Sequence, residues 1–389
     1  MMFEKKIEKT KQAGLYRTMR YLQSPQSAHV RIAGRDILML SSNSYLGLCD
    51  DERLKKAARA AMEKYGVGSG GSRLITGSYE IHQKLEEEIA AFKNAEAALI
   101  FNTGYMANVG VISAVADESW TVFSDRLNHA SIIDGCRLSG AKIVVYAHCD
   151  AADLEEKVKA HPCGEKGLVV TDGLFSVDGD IAPLPKLAEI AGRYRLLFMV
   201  DDAHATGVMG KHGGGTAEYF GLTDGVDISV GTFSKALASE GGFVAGRRAL
   251  IDYLANTARS FIFSTALSPV AIAVSRTALE IVGTDPGRRE TLHELASWFR
   301  VKLIGAGFAV ENHPTPIITV RLGTPELASN FSELLMEKGI FVNAIRPPTV
   351  PAGTSRLRIN LMATHAREDL ERALACIEET GRNLGVIQS

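Results

Sequence analysis

The sequence predicts an α/β protein: a large domain built on a mostly parallel sheet, followed by a smaller C-terminal α+β domain. Three observations carry this. Between residues 97 and 235, short apolar runs alternate with segments of helical period. Those runs are continuously apolar, as in strands covered on both faces, and do not alternate as a half-solvated strand would. The chain has 389 residues, 46% of them hydrophobic, which exceeds the roughly 250–300 residues at which one core stops growing.

Taken in order, the elements bear this out. The start, "MMFEKKIEKTKQAGLYRTMR", mixes Glu4 and Glu8 with basic residues and has no apolar centre, so it reads as a surface helix. A hairpin is expected around "AGRD" (33–36), packed with that helix beside the small domain. "YEIHQKLEEEIAAFK" (79–93) places Ile81, Leu85, Ile89 and Phe92 on one stripe with acids opposite, an amphipathic helix. The strand candidates are "AALIF", "TVFSD", "KIVVYAH", "GLVVTDGLF", "LLFMVDDAH" and "DISVGTFSK". Helices such as "DLEEKVKAH" and "PKLAEIAGRY" lie between them. Gly283, Asp285, Pro286 and Gly287 mark a break, after which come shorter strands ("PIITVRL", "IFVNAI", "RLRINLM") and long helices. The expected division is an N-terminal helix and hairpin segment (1–44), a large domain (45–285) and a small domain (286–389).

Composition narrows the function. A formal net charge of −2 leaves no basic footprint for nucleic acid. Five cysteines, odd in number and without a CxxC pair, fit reduced thiols in a cytoplasmic protein. No apolar run approaches the roughly 18 residues of a membrane span, and the start is neither signal nor transit peptide. A small-molecule partner is expected.

In open α/β sheets, ligands collect at the carboxyl ends of the strands. Chemistry-bearing residues gather there: Asp172 and Ser176, Asp201 and His204, Thr232 and Lys235. "GTFSKALASEGG" (231–242) surrounds one lysine with small residues. Burial lowers an amine's pKa towards its nucleophilic form, and linkage to an aldehyde removes the charge. A lone helix-start lysine reaching solvent is the plainer reading. At a strand end, Asp201 is an expensive carboxylate unless paired. A protonated pyridine would compensate it, with His204 donating to a ring oxygen; a metal or a structural ion pair is the alternative. His129 precedes a helix and could stack on an aromatic ring or simply cap. Gly104 and Tyr105 open a helix whose amides suit a phosphate, and Thr232 and Ser234 could add hydroxyls. "GVGSGGSR" (66–73) holds a loose G-x-G-x-x-G, but it follows a predicted helix where a dinucleotide fold needs a strand. Arg356 and Arg358, two apart on a strand, share a face. Either could fork onto a substrate carboxylate or make a structural salt bridge.

Together, "SSNSYLGL", "GSGGSRLITGSYEIHQKLE", "FNTGYMAN", "DRLNHASI", "DGLFSVDGD", "DDAHATG", "GTFSKALASEGG" and "IRPPTVPAGTSRLRI" resemble the α-oxoamine synthases. These are pyridoxal 5′-phosphate enzymes of fold type I, with a seven-stranded, mostly parallel sheet. The resemblance spans about residues 15–380 in family order. It implies an acyltransferase, a homodimer with shared active sites and no metal. Lys235 would attach the cofactor and move protons, Asp201 would meet the pyridine nitrogen, and His204 and Ser176 the ring oxygen. His129 would stack on the ring. Gly104, Tyr105 and Thr232 would hold the phosphate, with Ser264 and Thr265 reaching the phosphate of the other subunit. Arg358 would take the amino-acid carboxylate near Asn43 and Thr349, and Arg17 would meet the far carboxylate of the acyl chain. The "IRPPTVPAGTSRLRI" loop implies decarboxylative condensation of L-alanine with a pimeloyl thioester (on CoA or a carrier protein) in biotin biosynthesis. A glycine and acetyl-CoA member of the family is the nearer alternative. A nicotinamide-dependent oxidoreductase and a catalytically silent binding module are more distant ones. Ser44, Ala205 and Ala238 depart from the family pattern, the last two where glycine is common.

Overall fold

A computed structural model describes residues 2–12, 16, 18–222 and 224–388. The chain folds as two compact units. One comprises Met1–Asp50, Val177–Asp180 and Glu290–Ser389; the other comprises Asp51–Ser176 and Ile181–Arg289.

In chain order, the first unit opens with α1 (Met2–Gln12), β1 (His29–Ile32) and β2 (Arg35–Met39). The larger unit follows with α2 (Glu52–Tyr65), α3 (Glu80–Phe92), β3 (Ala97–Phe101), α4 (Gly104–Val115), β4 (Thr121–Asp125) and α5 (Ala130–Ser139). It continues through β5 (Lys142–Tyr146), α6 (Ala151–Ala160), β6 (Gly167–Asp172), α7 (Leu184–Arg193), β7 (Leu197–Asp201) and α8 (Thr216–Tyr219). It ends with β8 (Ile228–Thr232), β9 (Gly242–Gly246), α9 (Arg248–Thr257), α10 (Arg259–Ile262) and α11 (Pro269–Thr284). The chain then forms α12 (Gly287–Gly305), β10 (Ile317–Gly323), α13 (Pro325–Glu337), β11 (Ile340–Phe341), β12 (Asn343–Ile345), β13 (Ser355–Asn360) and α14 (Arg367–Asn383).

The larger unit is built on a seven-stranded sheet of order β3-β9-β8-β7-β6-β4-β5. Only β9 runs against its neighbours β3 and β8. The apolar runs are continuous because both faces are covered. Leu168 and Val170 of β6 enter one core with Val111, Ile112 and Met199. Between them, Val169 points into a second core with Phe198, Val200 and Leu187.

In the smaller unit, β1 and β2 form the expected hairpin. Its turn residues Ala33 (φ 49) and Gly34 (φ 76) both take the left-handed backbone that a two-residue hairpin turn needs. Two features differ from the sequence expectation. α1 buries no residue, so only the hairpin packs in this unit, where β2 pairs in parallel with β11. The run "IFVNAI" is two strands in two sheets. β11 joins β2, while β12 pairs antiparallel with β13. Fully buried Val342 lies between them, and its carbonyl accepts from Ser332 Oγ at 2.5 Å.

Candidate active site

Carboxyl-terminal strand ends of the large sheet converge on one cavity. It is lined by Gly104, Tyr105, His129, Asp201, His204, Thr232 and Lys235, all expected from sequence, together with Asn108, Ser131, Asp172 and Ser234.

Lys235 sits in the loop joining antiparallel β8 and β9, not on a helix. The loop is closed by Phe233 N–H to Gly241 O (3.1 Å), Ser239 N–H to Phe233 O (2.9 Å) and Thr232 Oγ1 to Gly241 O (2.6 Å). Ala236 and Leu237 are buried. The small residues around the lysine therefore let a tight, half-buried loop hold its amine inward.

Asp201 closes β7 and is 3% exposed. It accepts from Asn108 Nδ2 at 2.6 Å and from the Ala203 amide at 2.8 Å. Strand alternation turns the next residue away: Asp202 pairs with buried Lys93 at 3.2 Å and is structural. Beside Asp201 in register lies Asp172, at the end of β6. Burial, and then the Asp201 carboxylate, push Asp172 well above the usual carboxylate range. Asp172 accepts the His129 amide at 2.7 Å.

His129 is the N-cap of α5. Its Nδ1 lies 2.7 Å from Ser131 Oγ and accepts the Ser131 amide at 3.3 Å. Burial holds its pKa down, Asp201 pulls it up and Lys235 pushes it down again. Thr103 caps α4 through Met106 N–H at 3.0 Å, which puts Gly104 and Tyr105 in the first turn. Tyr105's phenol hydrogen-bonds Asp134 and is held up by that contact.

The sequence reading did not single out Asn108, which links Asp201 to Ser131 (2.9 Å) from one turn beyond Gly104 on α4. The signal was its polar side chain within the otherwise apolar or small "ANVGVISAV". Half-buried Ser176 and exposed Thr265 do not line the cavity; Thr265 bridges to Ser72. Arg17 lies outside the described residues.

The remaining candidates belong to the smaller unit. Arg358 donates from both terminal nitrogens to Asn43 Oδ1, at 3.2 Å each, and Asn360 Nδ2 donates to the same oxygen at 3.0 Å. Fully buried Tyr45 also contacts Arg358; burial raises its phenol to about 12 and the guanidinium counters this. Burial lowers the pKa of Arg358 itself. Arg356, on the same face of β13, instead forms an ion pair with Asp178. Thr349 is exposed and lines a different cavity, of about 520 Å³, with Arg20, Asn343 and Arg346.

The model for class I and II aminotransferases matches residues 35–377. A putative 8-amino-7-oxononanoate synthase of Acetivibrio thermocellus is 53% identical, over 99% of both chains. The 8-amino-7-oxononanoate synthase of Lysinibacillus sphaericus is 50% identical, again over 99% of both. The chain belongs to the class I and II aminotransferase family. Within that family it is an α-oxoamine synthase. Among solved structures, serine palmitoyltransferase of Sphingomonas wittichii superposes with a TM-score of 0.93 at 32% identity, covering 100% of this chain and 98% of that one. An 8-amino-7-oxononanoate synthase of Francisella tularensis gives 0.78 at 30% identity, over 89% and 98%. A further serine palmitoyltransferase was solved with PLP.

The cavity of this aminotransferase-family chain fits pyridoxal 5′-phosphate. It offers an amine for the aldehyde, a buried carboxylate for the pyridine nitrogen and a helix N-terminus for the phosphate. Glycine at 242 lets β9 pass close to the start of α4: a Cβ there would strike Gly104 N and Cα at 2.7 Å. The dinucleotide reading falls, because "GVGSGGSR" follows α2, capped by Gly66. Among the described residues, no helix is long and apolar enough to cross a membrane.

Proposed function

We propose that this protein condenses L-alanine with a pimeloyl thioester, with loss of CO2, to give 8-amino-7-oxononanoate for biotin biosynthesis. One observation carries the reading: Lys235 and Asp201 line a single cavity in a chain that is half identical, end to end, to synthases of that name. Bound pyridoxal phosphate supplies the electron sink for charge developing at the substrate's α-carbon. Lys235 Nζ would hold the cofactor's aldehyde, and its amine would take the substrate's α-proton and return one. Asp201, oriented by Asn108 and Ala203, keeps the ring nitrogen protonated. His204 would serve the ring oxygen and His129 would lie against the ring, both from the cavity wall. The α4 N-terminus, with Gly104, Tyr105 and Thr232, holds the phosphate.

Arg358 binds the amino-acid carboxylate near Asn43. Among the described residues its partners are neutral, so its charge is left for a ligand. Arg17 serves the far carboxylate of the acyl chain. We further read the chain as a cytoplasmic homodimer, with Ser264 and Thr265 reaching the partner's phosphate. The exposed apolar side chains Val67, Leu74, Ile75 and Phe263 near that segment support a buried face there.

The test crosses alanine, glycine and serine with pimeloyl-, acetyl- and palmitoyl-CoA, with Lys235→Ala as the blank. The expected result is turnover fastest for alanine with pimeloyl-CoA and none in the variant. Preference for glycine with acetyl-CoA, or for serine with palmitoyl-CoA, moves the chain to a sister activity.

A further inference from the structure

Asp125, His148 and Cys149 form a second constellation in the larger unit, outside the cofactor cavity. Asp125 ends β4 and is 2% exposed. Its Oδ1 lies 2.9 Å from His148 Nδ1, and its Oδ2 accepts the Cys149 amide at 2.8 Å. His148 Nε2 lies 3.7 Å from Cys149 Sγ. Phe175 packs edge-on against the imidazole, with ring centres 4.5 Å apart. Neighbouring side chains on extended backbone point apart. Left-handed backbone at Cys149 (φ 53) accompanies the close approach of these two. Both residues open on a cavity of about 620 Å³ beside α6 and α7.

Such wiring is suited to activating a thiol. A buried carboxylate on Nδ1 stabilises the imidazolium, so Nε2 can take the sulfur's proton. The other cysteines lack it. Burial pushes buried Cys136 up to about 12 and also raises Cys163, while exposed Cys49 donates to the Ser44 hydroxyl at 3.2 Å. None of these makes a hydrogen bond to an imidazole among the described residues. Further charges face the site from α6 and α7. Arg193 lies between Glu155 (2.7 Å) and Glu189 (2.6 Å), and Lys186 shares the wall with Asp150. Asp153 accepts the Ala147 amide at 2.6 Å. The phenol of Tyr146 is kept neutral, because burial raises it well above its ordinary value.

We propose that Cys149 is a redox-modification site that exchanges with small zwitterionic disulfides, with His148 as its base. The thiol proton passes to His148 Nε2, and the thiolate attacks one sulfur of the disulfide. A Cys149 S–S bond forms as the incoming S–S bond breaks. The departing thiolate leaves with the proton from His148, so no other oxidant is needed. Lys186 suits the carboxylate of such a ligand, and Glu155 and Glu189 its ammonium.

The holoenzyme is pulse-labelled with oxidised glutathione and the sites are mapped by peptide mass spectrometry. Cys149 is expected to react before Cys49, Cys136, Cys163 and Cys376, and dithiothreitol to reverse the label. In His148→Gln the rate at pH 6 should fall about five-fold, because lost thiolate population outweighs the gain in sulfur basicity. The difference should shrink by pH 8.5, where ordinary thiols ionise. Asp125→Asn, expected to change the rate in the same direction, serves if His148→Gln does not fold. Prior labelling of another cysteine, an unchanged rate in both variants, or reactivity that appears only after EDTA removes a metal from the three groups overturns the proposal.

Discussion

Arg356 and Arg358 have the same residue type, strand and face, yet the structure gives them different work. Arg356 is buried and paired with Asp178, whereas among the described residues Arg358 meets the neutral side chains of Asn43 and Tyr45. Removing one partner of a buried ion pair costs about 3–5 kcal/mol. Arg356→Gln is therefore expected to lower the melting temperature by several degrees while each folded molecule keeps its KM for alanine. Arg358→Gln is expected to cut kcat/KM for alanine about 100-fold, the loss of roughly 3 kcal/mol of charge-assisted binding, with a much smaller change in melting. Steady-state kinetics beside thermal melts separate the two. Equal effects on KM would remove Arg358 from its proposed role. Strand period alone left the two arginines equivalent, and only the family resemblance chose Arg358, because the period gives the face and nothing about Asp178, over 170 residues away. Asp201 was legible for the opposite reason: a carboxylate ending an apolar strand has few uses. Asn108 was passed over because one amide in a helix usually has a local explanation.

At the scale of elements, the parallel strands were legible because each is a continuous apolar run bounded by helical period. β9, "GFVAG", carries two glycines in five residues and was not singled out. Its glycines are explained by its neighbours. A Cβ on Gly242 would lie 2.7 Å from the Gly104 nitrogen, that is, from backbone at the start of α4. Gly242→Ala must displace either β9 or the first turn of α4, where the phosphate is proposed to sit. The expected result is at least ten-fold weaker cofactor binding, read by absorbance titration, with the far-ultraviolet circular dichroism retained. Unchanged affinity would separate that turn from the phosphate. The division of 340–345 between two sheets was illegible, since one apolar run cannot reveal that its hydrogen-bonding partner changes at Val342.

Over the whole molecule, acid stability follows from two histidines wired alike, one in each unit. His82 Nδ1 accepts the Tyr79 amide at 3.3 Å and its Nε2 meets Leu267 O at 3.1 Å. His365 Nδ1 accepts the Met362 amide at 3.0 Å and its Nε2 meets Met39 O at 3.1 Å. Each ring is a neutral Nε2–H tautomer with both nitrogens used, and protonating Nδ1 removes an acceptor. Burial lowers both pKa values from 6.5 to about 4; Arg73 adds to this at His82, and the Met39 carbonyl partly opposes it at His365. Because the folded values lie below the unfolded one, the unfolded chain binds more protons between pH 6.5 and 4. Stability is therefore complete above 6.5 and falls with acid, by about 3 kcal/mol for each histidine once pH reaches 4. His29 acts with the opposite sign. Partial burial lowers its pKa, but Asp369 and Asp36 outweigh that and raise it, so its contribution holds below 6.5 and is lost as pH rises through the folded value. Melting temperatures from pH 8 to 4 should fall steadily below 6.5. His82→Gln and His365→Gln should each start less stable at pH 8 and show a shallower fall, since each removes one proton from the difference. A wild-type melting temperature that stays flat from pH 6.5 to 4 would mean that these rings are already charged in the fold, and that Nδ1 is no acceptor.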